Sequence, residues 1–477
     1  MKYEAVIGLE VHVELSTKTK AFCGCTTEYG GKPNSHVCPV CLGLPGALPR
    51  INLEVVNKAL KTGLALNCSI NRFNRFDRKN YFYPDAPKNY QITQNDYPIC
   101  YDGFIEIDGA DGTRKKVGIE RIHMEEDAGK QLHSSKGTLV DFNRSGVPLI
   151  EIVSKPDLRT PEEASQYLTK LRSILLSLGV SDVKMEEGSL RCDANISLRE
   201  VGATAFGVKA EVKNMNSFKS LEKALRYEFL RQEEALEKGE KLSVETRRWD
   251  EAQEKTILMR SKEMANDYRY FPEGDLVSLS ISEEWIEGIR STIQELPHEK
   301  EERFVRDYGI PPYDAMVLTL TEDMANYFDE TVKICGDGKA ASNWLMGDIS
   351  RLMNEAGTWV KELKFSPAQL AGLLALIEKG TISTAIAKTV LTHMFAEGKD
   401  PQVIVEEHGL VQNNDEDFIR EAVNQVLDSA PHVVEDYRNG KTKIMGFVVG
   451  QTMKATKGKA NPGIINKLVQ EELERRK

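Results

Sequence analysis

With 477 residues, the chain is too long for one compact core, and we expect two or three domains. Hydrophobic residues make up 40% and charged residues 29%, values that are typical of globular proteins and exclude a disordered chain. The net charge of −10 argues against a surface that binds nucleic acid everywhere, although the stretch 438–477 carries a local +7.

The N-terminal segment is predicted to be a β-strand. In residues 6–15, alternation places Glu10, His12 and Glu14 on one face and apolar side chains on the other. The segment lacks the apolar region and cleavage site of a secretory signal. No stretch of the sequence approaches the roughly 20 apolar residues that a transmembrane helix needs. We therefore expect a cytoplasmic protein whose cysteines stay reduced.

Four of the eight cysteines crowd into a short segment, 23–41, with the pattern C-x-C, twelve residues, C-x-x-C. They are Cys23, Cys25, Cys38 and Cys41. Such paired spacings let two short loops present four thiolates tetrahedrally to Zn²⁺, and the sequence therefore predicts a zinc knuckle. Four unrelated buried cysteines or a thiol redox pair are the alternatives. Since four thiolates leave no open position on zinc, the ion would be structural, which argues against a zinc-dependent hydrolase.

Basic and aromatic residues alternate in segment 72–94. The cations are Arg72, Arg75, Arg78, Lys79 and Lys88, and the aromatic residues are Phe76, Tyr81, Phe82, Tyr83 and Tyr90. This mixture can bind phosphates by charge and stack on bases, or it can be a cationic loop whose aromatic rings lie in the core. Neither a P-loop pattern nor a G-x-G-x-x-G fingerprint occurs in the sequence.

Four later segments, 119–127, 147–153, 189–198 and 208–213, are predicted strands. Each carries an acidic residue among apolar neighbours: Glu125, Glu151, Asp193 and Glu211. A carboxylate inside a hydrophobic strand is costly unless it is paired or bound to a cation. Together with the N-terminal strand, these strands could therefore assemble a Mg²⁺ site on one sheet face, because Mg²⁺ prefers oxygen ligands.

The alternative is an ordinary antiparallel sheet with one solvated polar face. We favour that interpretation for Glu14, Glu120 and Glu126. We do not favour it for Glu151, because its neighbours on both sides are apolar. His12 alone would more often be a core or surface histidine, but its position two residues from Glu10 favours a ligand role.

Helical patterns interrupt and then follow the strands. Thr160-Pro161-Glu162-Glu163 is a capping box that opens one helix, and a second is expected at about 217–237. Beyond about 295 the sequence is mostly helical, with a capped helix opening at Ser366-Pro367 and ending near Gly380. We therefore predict an α+β N-terminal domain (1–293), a small helical domain (294–404) and a helical tail domain (405–477).

The tail contains a cluster of lysines around a short apolar helix. They are Lys441, Lys443, Lys454, Lys457 and Lys459. Clustered lysines contact phosphates without reading sequence, which favours RNA binding by shape and charge. A solubilising C-terminal end is the alternative.

Long stretches of the sequence resemble one family. They are VIGLEVHVEL, FDRKNYFYPDAPKNYQITQ, RIHMEEDAGK, DFNRSGVPLIEIVSKPD, DVKMEEGSLRCDANISLR, EVKNMNSFKSLEKAL, ETRRWDE, DYRYFPEGDL and the NWLMGDI stretch around Asn343. All look like the B subunit of the three-subunit, tRNA-dependent amidotransferases, and the resemblance covers essentially the whole chain.

The resemblance implies a cradle similar in core fold to glutamine synthetase and the guanidino kinases. It implies binding of ATP and of Glu-tRNA(Gln) or Asp-tRNA(Asn), and phosphorylation of the side-chain carboxylate. Ammonia released by a partner amidase (A) subunit, in a heterotrimer with a small C subunit, then displaces the phosphate. The helical domain and tail would bind the tRNA. A non-catalytic tRNA-binding scaffold is the competing interpretation.

The family's Mg²⁺-binding positions fall on the following residues of this sequence: Glu10, His12, Glu125 and Glu151, with Asp193 and Glu211 as further candidates for the nucleotide site. We also expect Lys79 and Lys88 to contact ATP phosphates, since phosphoryl transfer needs charge neutralisation by Mg²⁺ and Lys or Arg; the spacing itself does not show this. The cysteine quartet occurs in only some members of the family, so zinc would not serve the chemistry.

Overall fold

The computed structural model describes residues 2–109, 113–135, 137–261, 268–411, 415–438, 444–456 and 460–476. The chain divides into two compact units, Met1–Leu296 and Pro297–Lys477. Among the residues just given, the first unit has one hydrophobic core and the second has two separate ones. Within the described residues, no helix is long and apolar enough to cross a membrane.

The first unit is a mixture of strands and helices. Its elements are β1 (Tyr3–Glu14), α1 (Leu53–Ala65), β2 (Ser69–Ile70), β3 (Phe73–Asn74), β4 (Asp77–Asn80), β5 (Tyr90–Thr93), β6 (Cys100–Asp108), β7 (Arg114–Glu126), β8 (Lys130–Ser134), β9 (Gly137–Asp141), β10 (Pro148–Ser154), α2 (Pro161–Ser177), β11 (Leu190–Glu200), β12 (Ala210–Lys213), α3 (Phe218–Glu237), β13 (Glu245–Asp250), β14 (Lys255–Ser261), β15 (Phe271–Pro272), β16 (Leu279–Ser280) and α4 (Glu283–Arg290).

A large sheet organises this unit, with the strand order β14-β13-β12-β11-β1-β10-β7-β6-β2. Its neighbours pair antiparallel except for β12 and β13, which run parallel. The N-terminal strand β1 lies in the interior, between β11 and β10. Smaller sheets have the orders β15-β4-β5, β16-β3 and β8-β9.

The two faces of the large sheet differ because apolar and polar residues alternate along its central strands. Side chains such as Val11, Ile152 and Cys192 are buried in the core that also contains residues of α1, α2 and α3. These helices therefore cover the apolar face. The helix α2 begins as predicted, with the Thr160 side chain accepting a hydrogen bond from the Glu163 backbone N–H. The predicted strands and the α+β class are confirmed.

The second unit is helical among its described residues. Its elements are α5 (Pro297–Tyr308), α6 (Pro312–Leu318), α7 (Glu322–Cys335), α8 (Gly338–Trp344), a π-helical turn (Leu345–Ile349), α9 (Ser350–Ala356), a 3₁₀ turn (Val360–Glu362), α10 (Pro367–Glu378), α11 (Thr384–Glu397), α12 (Pro401–Glu407), α13 (Glu416–Ser429), α14 (Pro431–Arg438), α15 (Ile444–Ala455) and α16 (Pro462–Arg475).

The helix α10 shows why local sequence signals work here. Ser366 and Gln369 form the reciprocal hydrogen bonds of a capping box, and Gly380 adopts a positive φ of 66° just beyond the end of the helix. One core of this unit extends from Phe304 to Val405 and the other from Ile419 to Leu473.

Candidate functional site

Strand register brings imidazoles and carboxylates together on the polar face of the large sheet. His12 of β1 lies directly opposite Glu151 of β10, and Glu151 lies opposite His123 of β7. Glu125 follows two residues after His123 and therefore points to the same face. These four side chains form what we call the imidazole–carboxylate cluster.

The cluster is compact enough for a single cation. His12 Nε2 lies 3.4 Å from Glu151 Oε2 and 3.6 Å from Glu125 Oε1. One ligand atom from each of these three residues lies within 4.8 Å of the other two. His123 Nε2 lies 3.2 Å from Glu151 Oε2 and 3.7 Å from Glu125 Oε2. His12 is half-buried, whereas Glu151 is 9% and Glu125 3% exposed.

The electrostatics of the cluster are strongly coupled. Burial opposes a charge on His123, but the nearby carboxylates of Glu125 and Glu151 outweigh it and raise the pKa of His123 to about 9. Burial also opposes a charge on His12, but the carboxylates of Glu151 and Glu125 outweigh it, and the pKa of His12 rises. Burial also opposes ionisation of Glu151, but hydrogen bonds from both imidazoles hold its pKa well below the usual value. The carboxylates are therefore ionised at neutral pH and held by imidazolium groups, a role that a divalent cation can take over.

Lys79 adds a further positive charge beside the cluster. It lies on β4, and burial, which disfavours its charge, is outweighed by Glu125, so that the pKa of Lys79 rises. Its ammonium group also lies 5.0 Å from the ring centroid of Tyr268. The structure thus places this predicted phosphate contact next to the predicted metal ligands.

A second group of polar residues continues along the same face. Glu10 lies opposite Asp193 and accepts a hydrogen bond of 2.9 Å from Asn195 Nδ2. Glu211 lies opposite Asn195, and Lys213 forms ion pairs with both Asp193 and Glu211, the latter at 2.9 Å. These predicted ligands therefore share the face with the imidazole–carboxylate cluster, but Lys213 is the counter-charge of Asp193 and Glu211.

Lys88 lies elsewhere. It forms an ion pair with Glu126, which points away from Glu125 because the two are adjacent on β7. The pair lines a cavity of about 240 Å³ whose wall includes Cys41. The structure therefore separates Lys88 from the imidazole–carboxylate cluster, and its contact with ATP stays a prediction.

The expected solvation of Glu14 and Glu126 is wrong. Glu126 is 5% exposed, because β5 packs over this end of β7 and the Ile92 backbone N–H donates to its carboxylate. Glu14 is half-buried, and burial together with the nearby charge of Asp127 raises its pKa to about 8. Glu120 is exposed, as predicted.

The four cysteines of segment 23–41 do converge. One sulfur atom from each of Cys23, Cys25, Cys38 and Cys41 lies within 4.8 Å of the other three, and the four can hold a metal ion. A hydrogen bond from Cys23, only partly offset by burial, lowers the pKa of Cys41 to about 4. Mainly through burial, the pKa of Cys25 rises to about 11.

A fully buried lysine supports the cysteine cluster. Lys20 is 0% exposed, and its ammonium group donates to the backbone oxygens of His36 and Phe142 at 2.7 and 3.4 Å. It also lies 3.6 Å from Cys41 Sγ. A buried ammonium group is costly unless it faces negative charge, which thiolates supply.

Of the five tail lysines, only Lys454 lies within the described residues. It is exposed near the end of α15. Lys441, Lys443, Lys457 and Lys459 lie outside the described residues.

Sequence reasoning misses two members of this face as functional residues. Alternation places His123 on the correct face, and its two-residue spacing from Glu125 is the same signal that favours His12. Lys213 ends the predicted strand 208–213, but nothing in the sequence shows that it reaches across to Asp193.

Buried carboxylates and imidazoles on one sheet face can bind a divalent cation, and a lysine from an adjacent strand can bind phosphate groups. Comparison with known proteins gives the family. A model described as the GatB/GatE catalytic domain matches residues 5–287, and one described as the GatB domain matches 326–473. The chain therefore belongs to the GatB/GatE family.

Full-length relatives agree with this assignment. The B subunit of the aspartyl/glutamyl-tRNA(Asn/Gln) amidotransferase of Clostridium botulinum (strain Eklund 17B / Type B) is 68% identical over 476 residues, which cover 100% of both chains. The protein of the same name from Clostridium tetani (strain Massachusetts / E88) is 67% identical over 473 residues, 99% of each chain.

Proposed function

We propose that this chain is the kinase and transamidase subunit of a tRNA-dependent amidotransferase. It acts on Glu-tRNA(Gln), Asp-tRNA(Asn) or both, and converts the side-chain carboxylate of the attached amino acid into an amide. Membership of the GatB/GatE family and the names of the full-length relatives support the reaction class. The observation that carries the proposal is the convergence of His12, Glu125 and Glu151 beside Lys79.

The reaction needs an activated carboxylate, because a carboxylate ion is a poor electrophile. An oxygen of the side-chain carboxylate attacks the γ-phosphorus of ATP, and the bond to the ADP oxygen breaks, which gives an acyl phosphate and ADP. Ammonia then attacks the acyl carbon, phosphate leaves with the electron pair of the C–O bond, and the nitrogen loses a proton. Both steps depend mainly on positioning and charge neutralisation.

The residues present fit a divalent cation. Glu125 and Glu151 offer carboxylate oxygens and His12 offers a nitrogen, while Glu10, Asp193 and Glu211 offer further oxygens along the same face. Carboxylates suit Mg²⁺, and imidazole is a less usual ligand for it than for transition metals. When bound, Mg²⁺ would supply the positive charge that phosphate oxygens need during transfer.

The chain's own side chains have separate tasks in this proposal. Lys79 binds a phosphate oxygen of ATP, which its position next to the carboxylates makes possible. His123 orients Glu125 and Glu151 through its contacts of 3.7 and 3.2 Å. The exposed rings of Phe82 and Tyr83 offer stacking surfaces for a base, either of ATP or of the tRNA 3′ end.

The remaining assignments complete the proposal. The partners are an amidase subunit that supplies ammonia and a small third subunit, in keeping with relatives that are named as one subunit of an amidotransferase.

Zn²⁺ binds the cysteine quartet and has a structural role, supported by the convergent sulfur atoms and by Lys20. A division into three domains is supported by three separate hydrophobic cores, although Leu296 belongs to the first core and Val405 to the second, a few residues beyond the bounds 1–293, 294–404 and 405–477. The tail contacts tRNA through its lysines, including the exposed Lys454.

The test uses the complete complex with Glu125→Gln and Glu151→Gln variants. ATP-dependent acyl phosphate on the aminoacyl-tRNA, trapped with hydroxylamine, should fall by at least about a hundredfold in each. Glutamine hydrolysis by the partner should remain measurable, because its chemistry lies on another chain. Glu120→Gln is the matched control, since Glu120 is an exposed carboxylate of the same strand β7.

Wild-type rates of acyl phosphate formation in both variants would refute the proposed site. If the purified complex binds charged tRNA but forms no acyl phosphate with ATP and Mg²⁺, the chain is a tRNA-binding scaffold instead.

A further inference from the structure

A group of potential metal ligands lies far along the chain from the sheet, in the helical unit. His393 and Glu397 are four residues apart on α11 and therefore share one face of the helix. His408 is the residue directly after α12. One ligand atom from each of the three lies within 4.8 Å of the other two.

The contacts within this group already approach those of a metal site. His393 Nδ1 lies 3.0 Å from Glu397 Oε1. The His393 and His408 rings stack with their centroids 4.3 Å apart and an angle of 30° between the planes. The other carboxylate oxygen, Glu397 Oε2, lies 3.0 Å from Lys399 Nζ, which also contacts Glu407 at 2.8 Å. Lys399 thus holds the carboxylate from its far side, and Oε1 faces the imidazoles.

An ordinary surface ion pair explains only part of this arrangement. A pair between His393 and Glu397 needs no second imidazole, and the stacked ring of His408 brings a second nitrogen donor from the residue that follows α12. Two imidazoles and one carboxylate are the donor set that zinc and neighbouring transition metals prefer, whereas Mg²⁺ prefers oxygen. Three protein ligands also leave coordination positions for water.

We propose that His393, Glu397 and His408 form a binding site for a divalent transition metal of the Zn²⁺ class. The ion would join the end of α11 to the end of α12 and so clamp the short connection 398–400 between them. The site is independent of the cysteine quartet and of the imidazole–carboxylate cluster, since it shares no residue with either.

The test is calorimetric titration of the full-length chain with Zn²⁺, after the cysteine quartet has been loaded with one equivalent and with excess Mg²⁺ present. We expect the wild-type chain to bind one further equivalent. His393→Ala and His408→Ala should each weaken this step by about a hundredfold, because each removes a ligand. His432→Ala, which removes an exposed histidine of α14, should leave it unchanged.

Lys399→Met should change the affinity for Zn²⁺ in the opposite direction. Its ammonium group would repel a cation bound to Glu397, so that its removal should tighten Zn²⁺ binding by about tenfold at low salt. The melting midpoint of the quartet-loaded chain should rise with added Zn²⁺ in the wild type and in Lys399→Met, but not in the two histidine variants.

The proposal is overturned if the wild-type chain takes up no further equivalent, or if both histidine variants keep it with unchanged affinity. Since the ligands lie at the surface, the metal-free variants should melt like the wild type. Should a histidine variant fold poorly, Glu397→Gln and Lys399→Met decide instead: a second equivalent unaffected by either change contradicts the site.

Discussion

Replacing Lys20 by methionine should weaken the binding of zinc to the cysteine quartet. The side chain is fully buried, and its ammonium group lies 3.6 Å from Cys41 Sγ. Four thiolates around Zn²⁺ carry a net charge of about −2, which a low-dielectric interior tolerates poorly. Lys20 is the buried positive charge that compensates part of it.

The expected magnitude follows from the distance. Two unit charges near 4 Å interact by about 4 kcal/mol at an effective dielectric constant of 20, and the lost solvation of the ammonium group cancels part of this. A net loss of about 1 to 3 kcal/mol is therefore expected, in line with hydrogen bonds to charged groups. It corresponds to about a 5- to 150-fold rise in the zinc dissociation constant.

The assay is competition for zinc between the protein and a chelator of known affinity. Lys20→Met also removes the donor to the backbone oxygen of His36, which alone should destabilise the fold, whereas the oxygen of Phe142 still accepts from the Ser145 backbone N–H at 3.0 Å. Lys20→Gln separates the two effects, because it keeps an N–H donor and removes the charge. Lys18→Met is the control, since Lys18 is exposed.

A second measurement does not involve zinc. In the metal-free protein, loss of the Lys20 charge should raise the pKa of Cys41 from about 4, because Lys20 is one of the groups that lower it, after the hydrogen bond from Cys23. The pH dependence of thiol alkylation reports this change. Zinc affinity and Cys41 alkylation that are both unchanged in Lys20→Gln would refute the reasoning.

Three further outcomes follow from other parts of the chain. Lys454→Ala should weaken tRNA binding and reduce the slope of log affinity against log salt by about 1, measured by filter binding across a salt series, if this exposed lysine contacts a phosphate. Asp329→Asn should lower the free energy of unfolding by about 2 kcal/mol at pH 7, because it removes the carboxylate that accepts from Arg303 at 2.9 and 3.0 Å. Asp323→Asn, the control at the surface, should change the free energy of unfolding by less than about 0.5 kcal/mol. Burial opposes the charge of Asp329, but its hydrogen-bonded partners outweigh burial and lower the pKa of Asp329 in the folded protein. The stability that this carboxylate contributes is therefore present above its unfolded pKa of about 4 and is lost as the pH falls further. Urea unfolding between pH 7 and 2 should show the free energies of unfolding of the variant and the wild type converging. Gly398→Ala should cost about 3 kcal/mol, since φ is +72° and the new Cβ would lie 2.8 Å from a backbone oxygen, whereas Gly380→Ala, with φ +66° and no atom within 4 Å, should cost about 1 kcal/mol in the same assay.

Short-range signals in the sequence predict short-range structure well. The helix starts at Thr160 and Ser366 depend on residues three positions apart: the full capping box forms at Ser366, and at Thr160 the N-cap hydrogen bond forms while the Glu163 side chain accepts from the Arg159 backbone N–H. The four cysteines converge because two short, paired spacings already limit where their sulfur atoms can lie. These predictions need no knowledge of how distant segments pair.

Alternation predicts the face of a strand but not its neighbours. It assigns His12 to a polar face correctly, yet the direct opposition of His12 and Glu151 depends on the pairing of β1 with β10, about 140 residues apart in the sequence. A shift of one residue in that register would have placed His12 beside an apolar residue. The combination of strands that builds the cluster is therefore a property of the tertiary fold.

Burial by a remote segment explains the clearest error. Glu126 follows an alternating strand and is predicted to face solvent, but β5 packs against this part of β7 and Lys88 provides the counter-charge. Nothing in the sequence around Glu126 marks this, because the covering segment lies more than 30 residues earlier. Lys213 escapes prediction for the same reason, since its ion pair with Asp193 crosses between strands.

The two halves of the polar sheet face differ in the groups that provide the counter-charge to their carboxylates. In one half, imidazoles provide the counter-charge to Glu125 and Glu151, and His12 can release a proton and still offer a nitrogen to a metal. In the other half, the ammonium group of Lys213 lies between two carboxylates, and it has no lone pair to offer while it is charged. A cation can therefore enter the first half by proton release alone, whereas the second half can bind one only if Lys213 swings away. The imidazole–carboxylate cluster is accordingly the half that should take up a divalent ion in the absence of nucleotide.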